Sequence, residues 1–189
     1  MLVNEQNNGR LAPVERSKYD SVLEFAPLSV FLLYSRLIGD PTISENWAGP
    51  YYSASVFSFV ALCVFALRKI ELNRCYLGIY FYFLIGSVGL LANQAWLNSL
   101  LGVLDAAGML ASIAFVGLVS AFFSATGFIG VQSVDKVRLR WYSVLLVGIA
   151  IAAAILAYMN KGAIILGQLV PFILLFTIHG FIKKHLSTP

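Results

Sequence analysis

Charged side chains are scarce in this chain. Of its 189 residues, 13 are Lys or Arg and 9 are Asp or Glu, 12% in all, against about 25% in an ordinary soluble fold. So few charges exclude a cytosolic enzyme of this size. They also lie between apolar runs rather than along one face, which excludes a nucleic-acid binder. Cysteine is scarcer still, Cys63 and Cys75 alone, which excludes a disulfide-stapled secreted scaffold. Their twelve-residue separation matches no metal or redox pair, so both read as structural. A Gly-x-Ser-x nucleophile setting, a His-Glu-x-x-His helix and a phosphate-cradling glycine loop are missing too. The chain therefore reads as non-enzymatic, with no catalytic residue, metal site or cofactor.

What is abundant is apolar: 59% of the residues and a mean hydropathy of +0.82. The apolar residues come in runs of roughly 17 to 25, each long enough to cross the hydrocarbon core of about 30 Å as a helix. Six such runs stand near 22–38, 50–67, 76–93, 107–130, 141–159 and 163–182. They predict an all-α polytopic membrane protein with short loops, residues 22–182 forming the membrane domain. Residues 1–21 make a polar tail and 183–189 a basic one. The polar tail lacks an apolar h-region and a small-residue cleavage site, so no removable signal peptide is expected.

Orientation follows from Lys and Arg, which are retained in short cytoplasmic loops. Eleven of the 13 fall on alternate connections: Arg10, Arg16, Lys18, then Arg68, Lys69, Arg74, then Lys136, Arg138, Arg140, and Lys183, Lys184. The opposite connections contribute Lys161, and Arg36 lies within the first span. Both termini are therefore predicted to be cytoplasmic, in a multi-pass membrane protein. A missed or invented span would break the alternation, so the same count supports six. Trp47, Tyr51, Tyr52, Trp96 and Tyr158 at the outer ends, with Tyr19, Tyr76, Trp141 and Tyr142 at the inner ends, fit headgroup-level aromatic belts.

Local signals add detail. Ser21 and Glu24 are spaced as a capping box that would start the first span, and Gly39-Asp40-Pro41 would stop it. Asn160-Lys161-Gly162 is short enough to force an antiparallel hairpin between spans five and six. Between 94 and 106, Trp96, Leu97, Leu100, Leu101 and Leu104 share a face opposite Gln94, Asn98 and Asp105; an interfacial helix and an extension of span four both fit. Small residues four apart in span four (Gly117, Ala121, Ala125) and span five (Gly148, Ala152) suit close helix packing, within the chain or in a homodimer.

Ionisable and polar groups within spans are the functional candidates. Arg36 lies about 21 Å along the helix from Val22, where snorkelling explains it; pairing with Asp105 or Asp40 in an outer cluster is the sharper reading. Glu24 is accounted for by the capping box. His179 and His185 do not share a helical face, which leaves proton relay by His179 alone. Pro171 removes a donor from span six and frees the carbonyl of Gly167, so Gln168 and the kink could line a pathway together with Tyr80. Pro27 does the same to Leu23 in span one. Asp105 and Asp135 are predicted on opposite sides, which removes a paired-aspartate protease.

Phe25-Ala26-Pro27-Leu28-Ser29-Val30-Phe31-Leu32-Leu33-Tyr34, followed by Arg36 and Asp40, resembles the opening span of the intracellular septation protein A family. The length, the close spans, the basic connection with Arg68, Lys69 and Glu71, and the basic tail look similar too. The resemblance implies a bacterial inner-membrane protein of envelope maintenance, working with membrane lipids and with division, elongation or lipid-handling proteins. A small transporter or channel, with a pathway near Gln168 and Pro171, is the alternative.

Overall fold

A computed structural model describes residues 17–37, 44–131 and 135–187. Helices α1 (Lys18–Leu37), α2 (Ala48–Arg68), α3 (Arg74–Leu91), α4 (Ala95–Leu104), α5 (Ala106–Phe123), α6 (Lys136–Met159) and α7 (Val170–Ser187) follow in order. A 3₁₀ turn, Ser44–Trp47, leads into α2, and a π-helical stretch, Ile164–Leu169, leads into α7. No strand occurs among the described residues. Five helices, α2, α3, α5, α6 and the stretch Ile165–Leu186, are long and apolar enough to cross a membrane. The described residues thus form an all-helical fold whose five long apolar helices are, by length and composition, those of a multi-pass membrane protein.

Helix α1 begins four residues earlier than the sequence predicts, and its cap differs. The Ser17 N–H donates to Asp20 Oδ2 at 2.8 Å, and the Ser17 hydroxyl accepts from the Tyr19 N–H at 3.4 Å. This is the reciprocal cap assigned from sequence to Ser21 and Glu24. Glu24, 3% exposed, instead accepts the Asn73 N–H at 2.9 Å. Tertiary satisfaction of a buried backbone donor displaces the local use of the carboxylate. Helix α1 continues through the buried Pro27 and ends at Leu37; the expected stop at Gly39-Asp40-Pro41 lies outside the described residues. Asn73 caps α3 by accepting the Cys75 N–H at 3.0 Å, and Asp135 caps α6 by accepting from Val137 and Arg138.

Span four is also corrected. Its helix stops at Phe123, and 124–131 is irregular, with residues 126–129 buried and Phe128 and Ile129 in the core. Hydropathy cannot distinguish a helix from an apolar coil tucked against one. Such backbone needs partners inside the protein: the Phe128 N–H donates to the Ser143 hydroxyl at 3.0 Å, and the Gly130 N–H to the Thr126 carbonyl.

Helix α4 is separate from α5. The break is Asp105, at φ 48° and ψ −130°, a backbone setting disfavoured for any residue with a Cβ. Leu101 packs into the core while Trp96 and Leu100 stay exposed.

The core lies where α3 crosses α5 and α5 meets α6, the most extensive helix pair. Close approach depends on absent side chains: a Cβ at Gly78 would stand 2.5 Å from Ile113 Cα, and one at Gly108 3.0 Å from Tyr82 Cε2. Of the small residues, Gly117 and Ala121 in span four and Ala150, Ala153 and Ala157 in span five are buried within the chain, while Ala125 of the predicted span-four face is exposed. Gly148 and Ala152 remain exposed.

The predicted hairpin at 160–162 is present: Ala163 N–H donates to Asn160 O at 3.0 Å, and Gly162 takes φ 86°. Spans five and six are neighbours through it.

Candidate functional site

Polar residues gather in two places, one toward each end of α3. The first cluster is built on two broken helices. Gly78 faces Ile113 and Tyr82 faces Gly108, so α3 and α5 run antiparallel and Asp105 comes level with the stretch near Gly86. At 1.5 Å per residue that is about 7 Å inside the end of α3 at Leu91. Gln168, on the π-helical stretch, donates from Nε2 to Asp105 Oδ2 at 3.3 Å. Tyr51 donates to the Tyr82 hydroxyl at 2.8 Å, and Tyr82 reaches toward the Asp105 carbonyl at 3.5 Å. Ser87 donates to the Tyr51 carbonyl at 3.0 Å and meets Ser55 at 2.6 Å. Hydroxyls and amides here satisfy one another across α2, α3, α5 and the segment before α7, as apolar surroundings require.

The π-helical geometry answers the Pro171 question. Pro171 cannot donate, and the helix widens just before it, with the Val170 N–H reaching Ile165 O. Gly167 is required there, since its Cβ would lie 2.3 Å from Asn160 O in the hairpin.

The second cluster lies at the basic end. Asp20, 1% exposed, is paired with Arg68 from the last turn of α2. The Tyr80 hydroxyl donates to the Glu24 carbonyl at 2.8 Å. Arg74, the first residue of α3, donates through Nη2 to Ser124 Oγ at 2.7 Å and also to Thr126 Oγ1. His179, 4% exposed, holds the Ile129 backbone through one ring nitrogen, with its ring centroid 6.3 Å from that of Phe128. Among the described residues, two buried side-chain atoms have no partner: Arg74 Nη1 and His179 Nε2.

The structure thus joins two of the sequence candidates, Asp105 and Gln168, and separates them from two others. Tyr80 is engaged by α1 and His179 by the segment after α5, so a pathway shared by Tyr80 and Gln168 is not what the packing builds. The side chain of Arg36 and all of Asp40 lie outside the described residues. His185 is exposed beside Tyr142 and apart from His179. Cys63 is exposed and Cys75 buried.

Sequence reading did not single out Tyr51, Tyr82, Arg74, Ser124 or Thr126 as candidates. Arg74 was counted only as a loop charge; the signal available was the polar pair Ser124 and Thr126 inside an otherwise apolar run. The tyrosines carried no such signal, since aromatic residues near helix ends are ordinary.

Two surface depressions are apolar. One of about 440 Å³ runs along α1 past Val22, Phe25, Ser29 and Leu33; another of about 310 Å³ runs along α7 past Val170, Ile173 and Thr177. Neither is lined by Asp105, Gln168 or Tyr80. Comparison with protein-family models, with curated proteins and with solved structures finds no match to this chain.

Proposed function

We propose that the chain is a non-enzymatic six-span protein of a bacterial inner membrane, with both termini cytoplasmic, that serves envelope maintenance and septation through helix and lipid contacts. One observation carries this reading. The internal polar groups are largely consumed in helix-to-helix bonds, and the two depressions along α1 and α7 are apolar and suited to acyl chains. Helix α1 fits as the sixth span, because its acids Asp20 and Glu24 turn inward onto Arg68 and Asn73 while Phe25, Leu32 and Leu33 stay exposed. The likeness of residues 25–34 to the septation protein A family supports the envelope assignment. Division, elongation or lipid-handling membrane proteins are the partners this reading implies.

Tags on the two termini should be protected together and exposed together; exposure on opposite faces would overturn the topology. A pull-down from native membranes should return envelope-building or lipid-handling proteins. Their absence, with normal envelope integrity in a deletion strain, would refute the function.

The hydrogen bond from Gln168 to Asp105 favours a second reading, a small transporter or channel. It joins two interrupted helices, an arrangement on which transport sites are built. Solute flux in proteoliposomes, lost in Asp105→Asn, would establish it. Absence of flux for ions and small solutes would remove it.

A further inference from the structure

The basic-end cluster contains two buried atoms that no interaction among the described residues satisfies. Arg74 makes no ion pair among the described residues; Glu71 on the exposed connection and Glu24 beside Cys75 are the acids whose fields reach Arg74 and Cys75. Its Nη2 holds two hydroxyls, and Nη1 is covered without an acceptor. A guanidinium carries five donors in a fixed fork, matched to the oxygens of a phosphate. A buried donor left unmade is destabilising, and an acceptor from outside the chain would satisfy it.

His179 supplies an independent sign. It is 4% exposed, one ring nitrogen donates to the Ile129 backbone, and Nε2 is buried and unpartnered. In the neutral ring that atom carries the lone pair and takes a donor such as a hydroxyl. Arg74 and His179 grip the same irregular segment, Arg74 at Ser124 and Thr126, His179 at Phe128 and Ile129.

We propose that Arg74, Ser124, Thr126 and His179 form a site for a glycerol-phosphate anion, its phosphate on the Arg74 fork and a glycerol hydroxyl on His179 Nε2. The anion is carried either by an anionic lipid headgroup or by a free phosphorylated polyol. The ligand enters by local rearrangement of the segment from Ser124 to Val131, where Gly127 and Gly130 stand at φ 58° and 73°. The lipid source rests on the lipid-contact reading above; the free source does not.

The test is native mass spectrometry of the full chain in mild detergent, titrated with phosphatidylglycerol, phosphatidylcholine or glycerol 3-phosphate. Phosphatidylglycerol should bind at least about tenfold more tightly than phosphatidylcholine, and Arg74→Gln should remove that preference, the effect of one charge-assisted hydrogen bond. Arg138→Gln, at an exposed pair with Asp135, should leave it unchanged. If Arg74→Gln does not fold, Thr126→Val and His179→Leu should each weaken binding about threefold or more. Glycerol 3-phosphate bound in an Arg74-dependent way identifies the free anion as ligand; phosphatidylglycerol alone identifies the headgroup. Equal loss in Arg138→Gln, or unchanged binding in all foldable site variants, overturns the site while leaving the lipid-contact reading standing. Retention of no phospholipid at all refutes that reading, and the site falls with it unless glycerol 3-phosphate binds.

Discussion

Substituting Gly78 by Ala tests the contact that places Tyr82 over Asp105. The added Cβ would stand 2.5 Å from Ile113 Cα and 2.9 Å from its N. Both are backbone atoms that cannot rotate away. Ordinary contact needs roughly 3.5 to 4.0 Å, so α3 and α5 must part by about 1 Å. A gap of that size forfeits a quarter to a half of each dispersion contact along the seam. Overpacking of this kind costs about 2–3 kcal/mol, set against a gain of about 1 kcal/mol from replacing glycine within a helix. The net expectation is a loss of about 1–2 kcal/mol. Gly102, with nothing within 4 Å of its would-be Cβ, shares the propensity gain without the clash. Gly102→Ala should therefore stabilise by up to about 1 kcal/mol. Equilibrium unfolding in mixed micelles with increasing SDS measures both. If Gly78→Ala and Gly102→Ala agree within about 0.5 kcal/mol, the α3–α5 approach is not as tight as described and the position assigned to Asp105 fails with it.

The Asp105–Gln168 bond should appear as a coupling of about 0.5–1.5 kcal/mol in a double-mutant cycle of Asp105→Ala and Gln168→Leu, each of which removes one partner, the range found for bonds between membrane helices; additive single effects would show the bond does not form. Asp20→Asn should destabilise by about 2 kcal/mol, because it weakens the α1 cap and leaves Arg68 without its carboxylate, the estimate being discounted for the 41% exposure of the Arg68 side chain. The same unfolding assay checks it, and a change under about 0.5 kcal/mol would refute the pairing. Maleimide should spare the buried Cys75 in the folded protein and modify it once SDS unfolds the bundle; labelling of Cys75 in the folded protein would contradict the packing of α3.

Where the chain has long apolar stretches, helix positions were readable to within a few residues, because backbone groups in hydrocarbon must bond within their own segment. Spans two, three, five and six match α2, α3, α6 and the segment ending in α7 in this way. Span four misled at its far end because Phe128 and Ile129 are as apolar as a helix would be, and their coil is solvated by Ser143 rather than by water. The candidates Asp105 and Gln168 were visible as polar residues in apolar runs, yet 63 positions separate them, and no local period links residues that distant. Ser21 and Glu24 show the converse error: a valid capping pattern in sequence was outcompeted by the Asn73 N–H across the bundle.

Composition alone pointed to lipid as the solvent and to helix as the class of element, since a chain with this little charge and this much apolar surface must bury its faces or turn them to lipid and close its hydrogen bonds internally. Tertiary structure alone decided which polar groups meet. Glycines at 78 and 108 let α3 and α5 touch, and that contact, the hairpin after α6 and the coil after α5 set the partners of Asp105, Gln168, Arg74 and His179. The reason is range: hydrophobic burial is additive over residues and can be read in order, whereas a hydrogen bond depends on ångström distances that only the assembled helices determine.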